Sequence, residues 1–205
     1  IPEVRWDLQF MGNITEGTFQ IIDIILHLCR AAVRVMTDNA AAKLCFRHEN
    51  YQSVMAVPYD MFISGYRTPA VNKLVLWSAK SPSKNSIDLR YFVRGEHLKA
   101  LEENTMAEVI SKVLYPADNH TEGKLLRLTQ QYFLVSASCQ SIVRDHMAVY
   151  GMLDNLPDKV AIHINDTHPA VAIPELMRIF MDDYGMGWDE AEAIARNTFA
   201  YTNHT

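Results

Sequence analysis

Cysteine is scarce in this sequence: three in 205 residues, Cys29, Cys45 and Cys139, without metal-type spacing. That usage argues against a cysteine-built metal site and suits a reducing cytoplasm, where lone thiols pack as small hydrophobes. Runs of Lys and Arg are missing as well, and the formal net charge is −5. Nucleic acid and anionic membrane are therefore poor candidates for the main partner. Internal repeats, low-complexity tracts and Gly/Ser linkers are also absent from the sequence.

An uninterrupted apolar run of membrane length is lacking too. Phe19 to Met36 comes nearest, but Asp23, His27, Arg30 and Arg34 interrupt it at helical spacing. The pattern predicts an amphipathic helix packed on protein. The chain opens at Ile1-Pro2-Glu3 without a signal-peptide pattern and closes at Thr205 after a strand-like run, so both ends are expected to lie inside a longer chain. Asn-x-Ser/Thr triplets begin at Asn13, Asn119, Asn165 and Asn203, and without a secretory signal they read as chance.

What is present is a globular composition, 49% hydrophobic and 21% charged. Strands are expected in Val4 to Phe10, Lys43 to Val57, Lys73 to Ser78, Val160 to Asn165 and Ala200 to Thr202. The stretches 57–60 and 64–66 read as loops by their Pro and Gly. Thr105 to Val113 predicts a helix burying Met106, Val109, Ile110 and Val113. A longer helix, Leu126 to Met147, carries a stripe of Leu128, Tyr132, Val135, Cys139, Ile142 and Met147. Pro174 suits the first turn of a helix that Gly185 and Gly187 end, and Asp189 can cap the next one. Strands alternating with helices predict an α/β layered domain, in which ligands bind where loops leave the carboxyl ends of strands.

Two loops have that setting. Asn165-Asp166-Thr167-His168-Pro169 gathers an amide, a carboxylate, a hydroxyl and an imidazole behind a core strand. Spacing alone leaves three readings open: turn chemistry, binding of a polar ligand such as a sugar, or a metal trio with His163. Tyr201-Thr202-Asn203-His204-Thr205 holds a histidine among hydroxyls, with no local signature of a nucleophilic triad. The connector Asp118 to Lys124 is polar and turn-rich, either a solvated link or a mobile gate. Its Gly123-Lys124 pair lacks the remainder of a phosphate loop.

From Tyr51 to Thr205 the sequence resembles the α-glucan (glycogen or maltodextrin) phosphorylases of bacterial type. The resemblance runs through Ala56-Val57-Pro58-Tyr59-Asp60, Leu76-Trp77-Ser78-Ala79-Lys80 and Val113-Leu114-Tyr115-Pro116-Ala117-Asp118-Asn119. It continues through Gly123-Lys124, Leu126-Arg127-Leu128, Asn165-Asp166-Thr167-His168-Pro169, Ile173-Pro174-Glu175-Leu176-Met177-Arg178 and Tyr201-Thr202-Asn203-His204-Thr205. Each motif is weak alone; in this order they are specific.

The resemblance implies that residues 1–205 form part of the N-terminal, Rossmann-like domain of a GT-B type glycosyltransferase, with 1–50 poorly matched. It implies phosphorolysis of α-1,4-glucan by inorganic phosphate to glucose 1-phosphate, in a cytoplasmic homodimer. Pyridoxal phosphate would sit on a lysine of a C-terminal domain with no counterpart here. By motif position, His204 resembles the residue whose side chain meets the glucosyl 6-hydroxyl and whose carbonyl faces the oxocarbenium charge. Asn119 resembles the ligand of the 2-hydroxyl, and Asp118 the acidic gate residue. Tyr115, Asp166 and His168 resemble residues of the glucan acceptor side, with Arg127 and Glu122 near the same pocket. His120 stands where animal relatives have an aromatic of a purine site, and Asp145 replaces a second arginine after Arg144, so that site and nucleotide control are not expected. A non-catalytic carbohydrate-binding fragment and a hydrolase using metal at His163, Asp166 and His168 are the competing readings.

Overall fold

The computed structural model describes residues 22–26, 34–37, 44–47, 52–82 and 87–204. The strand expected over Val4 to Phe10 lies outside them. In chain order the strands β1 (Ile22–Leu26), β2 (Arg34–Thr37), β3 (Leu44–Arg47), β4 (Gln52–Ser64) and β5 (Val71–Lys80) come first. Helices α1 (Leu89–Val93), α2 (His97–Lys112), α3 (Thr121–Tyr150) and α4 (Leu156–Lys159) follow. Then come β6 (Ile162–Asn165), α5 (Ala172–Arg178), a π-helical turn (Ile179–Asp183), α6 (Trp188–Thr198) and β7 (Phe199–Thr202).

Among the described residues the strands form three small sheets rather than one layer. β4 lies between β1 and β5, antiparallel to both, β2 pairs with β3, and β6 pairs in parallel with β7. The architecture is α/β, with the antiparallel sheet early and the parallel pair late. Among the described residues no helix is long and apolar enough to cross a membrane.

Helix α3 organises the packing because it is buried on two sides. Val135, Cys139, Ile142 and Val143 join Ile162, Ile164, Leu176, Phe180 and Ile194 in one core. Phe133 and Ala137 join Val54, Ala56, Ala79, Ala107 and Ile110 in another. Burial of this kind contributes roughly 25 cal/mol per Å² of apolar surface.

Several expectations need correction. The helix expected over Phe19 to Met36 is strand at 22–26 and 34–37. Ile22, Ile24 and Ile25 are β-branched and suit a strand, and β4 supplies the partner that a local helical pattern cannot reveal. Residues 57–60 are not a loop but the middle of β4. Among the described residues, pairing with β1 stops at Ala56 and only β5 flanks β4 beyond it, a setting where Pro58 is tolerated. In α2 the buried face is Ala100, Ala107 and Ile110, whereas Met106, Val109 and Val113 are exposed. The small alanines let α2 approach β5 closely, and the Ser111 hydroxyl takes the Ala79 N–H at 2.8 Å. Of the expected α3 stripe, Val135, Cys139 and Ile142 are buried and Tyr132 and Met147 pack against the cores, whereas Leu128 is exposed. Gly187, not Asp189, occupies the N-cap of α6; Asp189 sits in the first turn, where a carboxylate complements the helix dipole.

Candidate functional site

The segment between α2 and α3 is shorter than its composition predicts, because α3 starts at Thr121. His120 is the N-cap: its Nδ1 accepts the Gly123 N–H at 3.0 Å, with Glu122 in the first turn. Gly123 is the residue that permits this fold-back, since a Cβ there would lie 1.7 Å from the carbonyl oxygen of Ala117. The cap fixes the start of α3 and, with it, the direction of Arg127.

Arg127 gathers the site. Its Nη1 donates to Asp118 Oδ2 at 2.9 Å, its Nη2 faces His168 Nδ1 at 3.5 Å, and its guanidinium lies 5.5 Å from the Tyr115 ring centre. A guanidinium can only donate, so His168 Nδ1 is the acceptor. The ring proton of a neutral imidazole then belongs on Nε2, which points toward Asp166 Oδ2 at 3.9 Å. Tyr115 meets His168 edge-on with 6.0 Å between ring centres. These residues come from two places: the start of α3 with the segment entering it, and the loop leaving β6.

Both turns use unusual backbone. Tyr115 has φ 58° and Asp166 has φ 65°, the left-handed region that costs a side chain free energy. At Asp166 the surroundings hold the conformation: its N–H donates to Thr202 O at 2.7 Å, and its Oδ1 accepts the Thr167 N–H at 2.6 Å. The first of these bonds extends the β6–β7 ladder and brings the end of β7 beside the loop. His204 consequently reaches across, Nε2 against Asn165 Oδ1. His163 is engaged with the Thr202 hydroxyl.

Between the two walls lies a cavity of about 350 Å³, lined in part by Tyr115, Arg127, Gln130, Asn165, His168 and Pro169. Its remaining lining is largely aliphatic, from Leu114, Leu134 and Val135. A few convergent polar groups over an apolar floor are what a ligand of mixed character requires. Of the residues singled out in the sequence, Tyr115, Arg127 and His168 line the cavity, while Asp118 pairs with Arg127 and Asp166 lies 3.9 Å from His168. His204 stands at the rim through Asn165. Asn119 is exposed next to Asp118, and Glu122 points to solvent, 3.4 Å from His120. Gln130 went unnoticed in the sequence; it is buried and donates to Val113 O at 2.8 Å, tying the incoming segment to α3. Its one legible signal is its place three residues after Arg127, on the same helical face.

The metal reading fails on this geometry, because His163 turns to Thr202 and His168 to Arg127. Among the described residues no group of three or more His, Cys, Asp or Glu could hold a metal ion.

Beneath the cavity, α5 is fastened to α3 through Glu175. Its Oε1 accepts from the Ser136 hydroxyl at 2.6 Å and its Oε2 from the Tyr132 hydroxyl at 2.9 Å. Arg178 donates to both oxygens, at 2.9 and 3.0 Å. Burial and then the Glu175 charge push the Tyr132 hydroxyl above the ordinary tyrosine range. For Arg178, burial opposes the charge, but bonding to Glu175 outweighs it and holds the guanidinium above its ordinary value. Burial, with a further contribution from the Glu175 charge, raises the Cys139 thiol to about 12.

Residues 23–205 match the family described as Phosphorylase: Carbohydrate phosphorylase. The chain is 51% identical over 157 residues to the glycogen phosphorylase of Haemophilus influenzae, covering 77% of this chain and 19% of the relative. It is 49% identical over 162 residues to the liver form of Homo sapiens, at 75% and 19% coverage, and 48% over 170 residues to that of Bacillus subtilis, at 83% and 20%. The chain thus spans about one fifth of the length of the relatives it matches. Matched over most of its own length, from the antiparallel sheet to the histidine beside the cavity, the chain belongs to the carbohydrate phosphorylase family.

Proposed function

We propose that this chain is part of the N-terminal domain of an α-1,4-glucan phosphorylase and supplies the glucan-side wall of its cleft. The observation that carries this is the convergence of Tyr115, Asp118 and Arg127 with Asp166 and His168 around one cavity. In this reading Tyr115, Arg127 and His168 bind glucan hydroxyls and sugar faces, and Asp166 orients His168. Asn119 takes the 2-hydroxyl of the reacting glucosyl unit. His204 meets the 6-hydroxyl and aims its carbonyl at the positive charge that develops as the bond to the anomeric carbon breaks. Asp118 opens and closes the entrance, released from Arg127 when the entrance opens; Glu122 acts only at the outer edge.

Inorganic phosphate is the second substrate, bound by residues beyond this chain. Pyridoxal phosphate needs a lysine for its covalent anchor, and among the described residues the cavity lining holds none. The residues present do not fit the cofactor, whose place is a C-terminal domain. The parallel β6–β7 pair, joined through α5 and α6, is one β-α-β unit of the larger Rossmann-like layer of a GT-B enzyme. The intact protein is a cytoplasmic homodimer in this reading.

The test is a phosphorolysis assay on the full-length protein with maltodextrin and phosphate. Glucose 1-phosphate should form, and Arg127→Ala should raise the KM for maltodextrin by roughly tenfold, as for a lost charge-assisted contact. A full-length protein that carries pyridoxal phosphate yet makes no glucose 1-phosphate overturns the reading.

A further inference from the structure

Helices α3 and α5 meet along an apolar seam in which Val135 and Cys139 face Ala172 and Leu176 within one core. Such contacts are non-directional and leave the sliding register of two helices weakly determined. Glu175 is different. It is 3% exposed, and its two oxygens accept four hydrogen bonds, two from α3 and two from Arg178 on its own side of the seam. Tyr132 and Ser136 are four residues apart on α3 and so stand one above the other on one face. Each takes a different carboxylate oxygen, so a slide of α5 along α3 breaks at least one bond.

The pin and the cavity share the same two bodies. Arg127 lies on α3 just over one turn before Tyr132. His168 lies in the segment leading into α5, and that segment is itself wound tight. Ala170 N–H donates to Thr167 O at 3.1 Å, Ala172 to Pro169 O at 2.9 Å and Ile173 to Ala170 O at 3.3 Å. A displacement of α5 therefore carries His168 with it. Buried ion pairs are weak evidence for stability, and fixing one arrangement against its neighbours is their better-attested use.

We propose that Glu175 is a positioning residue: by pinning α5 to α3 in one register it sets His168 against Arg127 and Tyr115. This rests on the reading of the cavity as a glucan site, and the test separates the two. In the full-length protein, Glu175→Gln is compared with the double variant Tyr132→Phe/Ser136→Ala. The double variant keeps the Glu175–Arg178 pair and removes both bonds across the seam, along with the bond that the Ser136 hydroxyl accepts from Gln140 within α3, so it serves if Glu175→Gln does not fold.

The first readout is the rate at which diethylpyrocarbonate modifies His168, followed by peptide mass spectrometry. It should rise several-fold in either variant, while His204, which is held by Asn165 rather than α5, keeps its rate. The second is a cycle with His168→Ala in maltodextrin phosphorolysis. The double variant should raise KM by roughly tenfold alone, and by much less when His168 is already absent. A purely structural role lowers the unfolding temperature, leaves His168 labelling unchanged and adds independently to His168→Ala; that outcome overturns the proposal. If the unaltered protein makes no glucose 1-phosphate, the functional reading falls and the labelling rate alone decides the positioning role.

Discussion

Arg127 and Asp118 form an ion pair, 2.9 Å between Nη1 and Oδ2, that ties the segment entering α3 to the helix it precedes. The Arg127 side chain is 30% exposed and that of Asp118 54%, so solvent screens the attraction. A pair of this kind contributes about 0.2–1 kcal/mol. That strength suits a latch: strong enough to bias the segment, weak enough to release.

Asp118→Asn in the full-length protein should therefore speed amide exchange across residues 113–120 by a few-fold without changing the unfolding temperature measurably. Exchange in α3 should stay as it was, because its cap at His120 and its buried face do not depend on Asp118. Exchange that is unchanged in 113–120 would mean that Gln130 and Tyr115 hold the segment, not the ion pair.

His204→Ala should lower kcat far more than it alters the KM for glucan, by about 2–4 kcal/mol in the barrier. The expectation follows from the proposed role, in which the contact strengthens as charge develops at the anomeric carbon. Steady-state kinetics of the full-length variant check it. A raised KM with unchanged kcat would assign His204 to binding alone.

Much of this site was legible because polar loops follow an apolar strand of period two. Ile162 and Ile164 mark β6, so Asp166 and His168 had to emerge at its carboxyl end. Glu175 and Gln130 were not legible as site residues, since each looks like an ordinary polar position on a helix; only the partner helix or segment makes them internal. The α2 face was misread and the α3 stripe was incomplete for a related reason. Helix α3 is packed on two sides, and α2 buries alanines while exposing Met106 and Val109. Pro58 signals a loop by local preference, and only the ladder with β5, where it stands opposite Trp77, reveals a strand there.

Gly123→Ala should destabilise, although alanine is the better helix former by about 1 kcal/mol. The added Cβ would sit 1.7 Å from Ala117 O, and backbone has no rotamer with which to yield. Moving the segment back disturbs the His120 cap and the Asp118–Arg127 pair together. The expected loss is about 1–3 kcal/mol, typical of overpacking, with a raised KM for glucan. Denaturant unfolding and kinetics of the full-length variant measure both; a gain in stability would show that the segment relaxes freely.

Cys139 allows a test of the α3–α5 seam by pH. The thiol is 3% exposed, its Sγ donates to Ala172 O at 4.0 Å, and burial raises it to about 12. Below its ordinary value, near 9, the thiol is protonated in both folded and unfolded chains, and its contribution to stability is fully present. Above that value the unfolded chain gains a thiolate that the folded core refuses, so stability is lost as pH rises toward the folded value. The slope in this window approaches about 1.4 kcal/mol per pH unit for one such group. Lysines and tyrosines titrate there too, so the readout is the difference between the full-length protein and its Cys139→Ala variant. The variant begins less stable, because it leaves a small cavity, and the gap should narrow between pH 9 and 11. Native protein at pH 8 should also leave Cys139 unmodified by a thiol reagent that labels it after unfolding, since the thiolate is the reactive form. Rapid native labelling, or a gap that stays constant with pH, would show that the seam opens to solvent and that α5 is not held against α3.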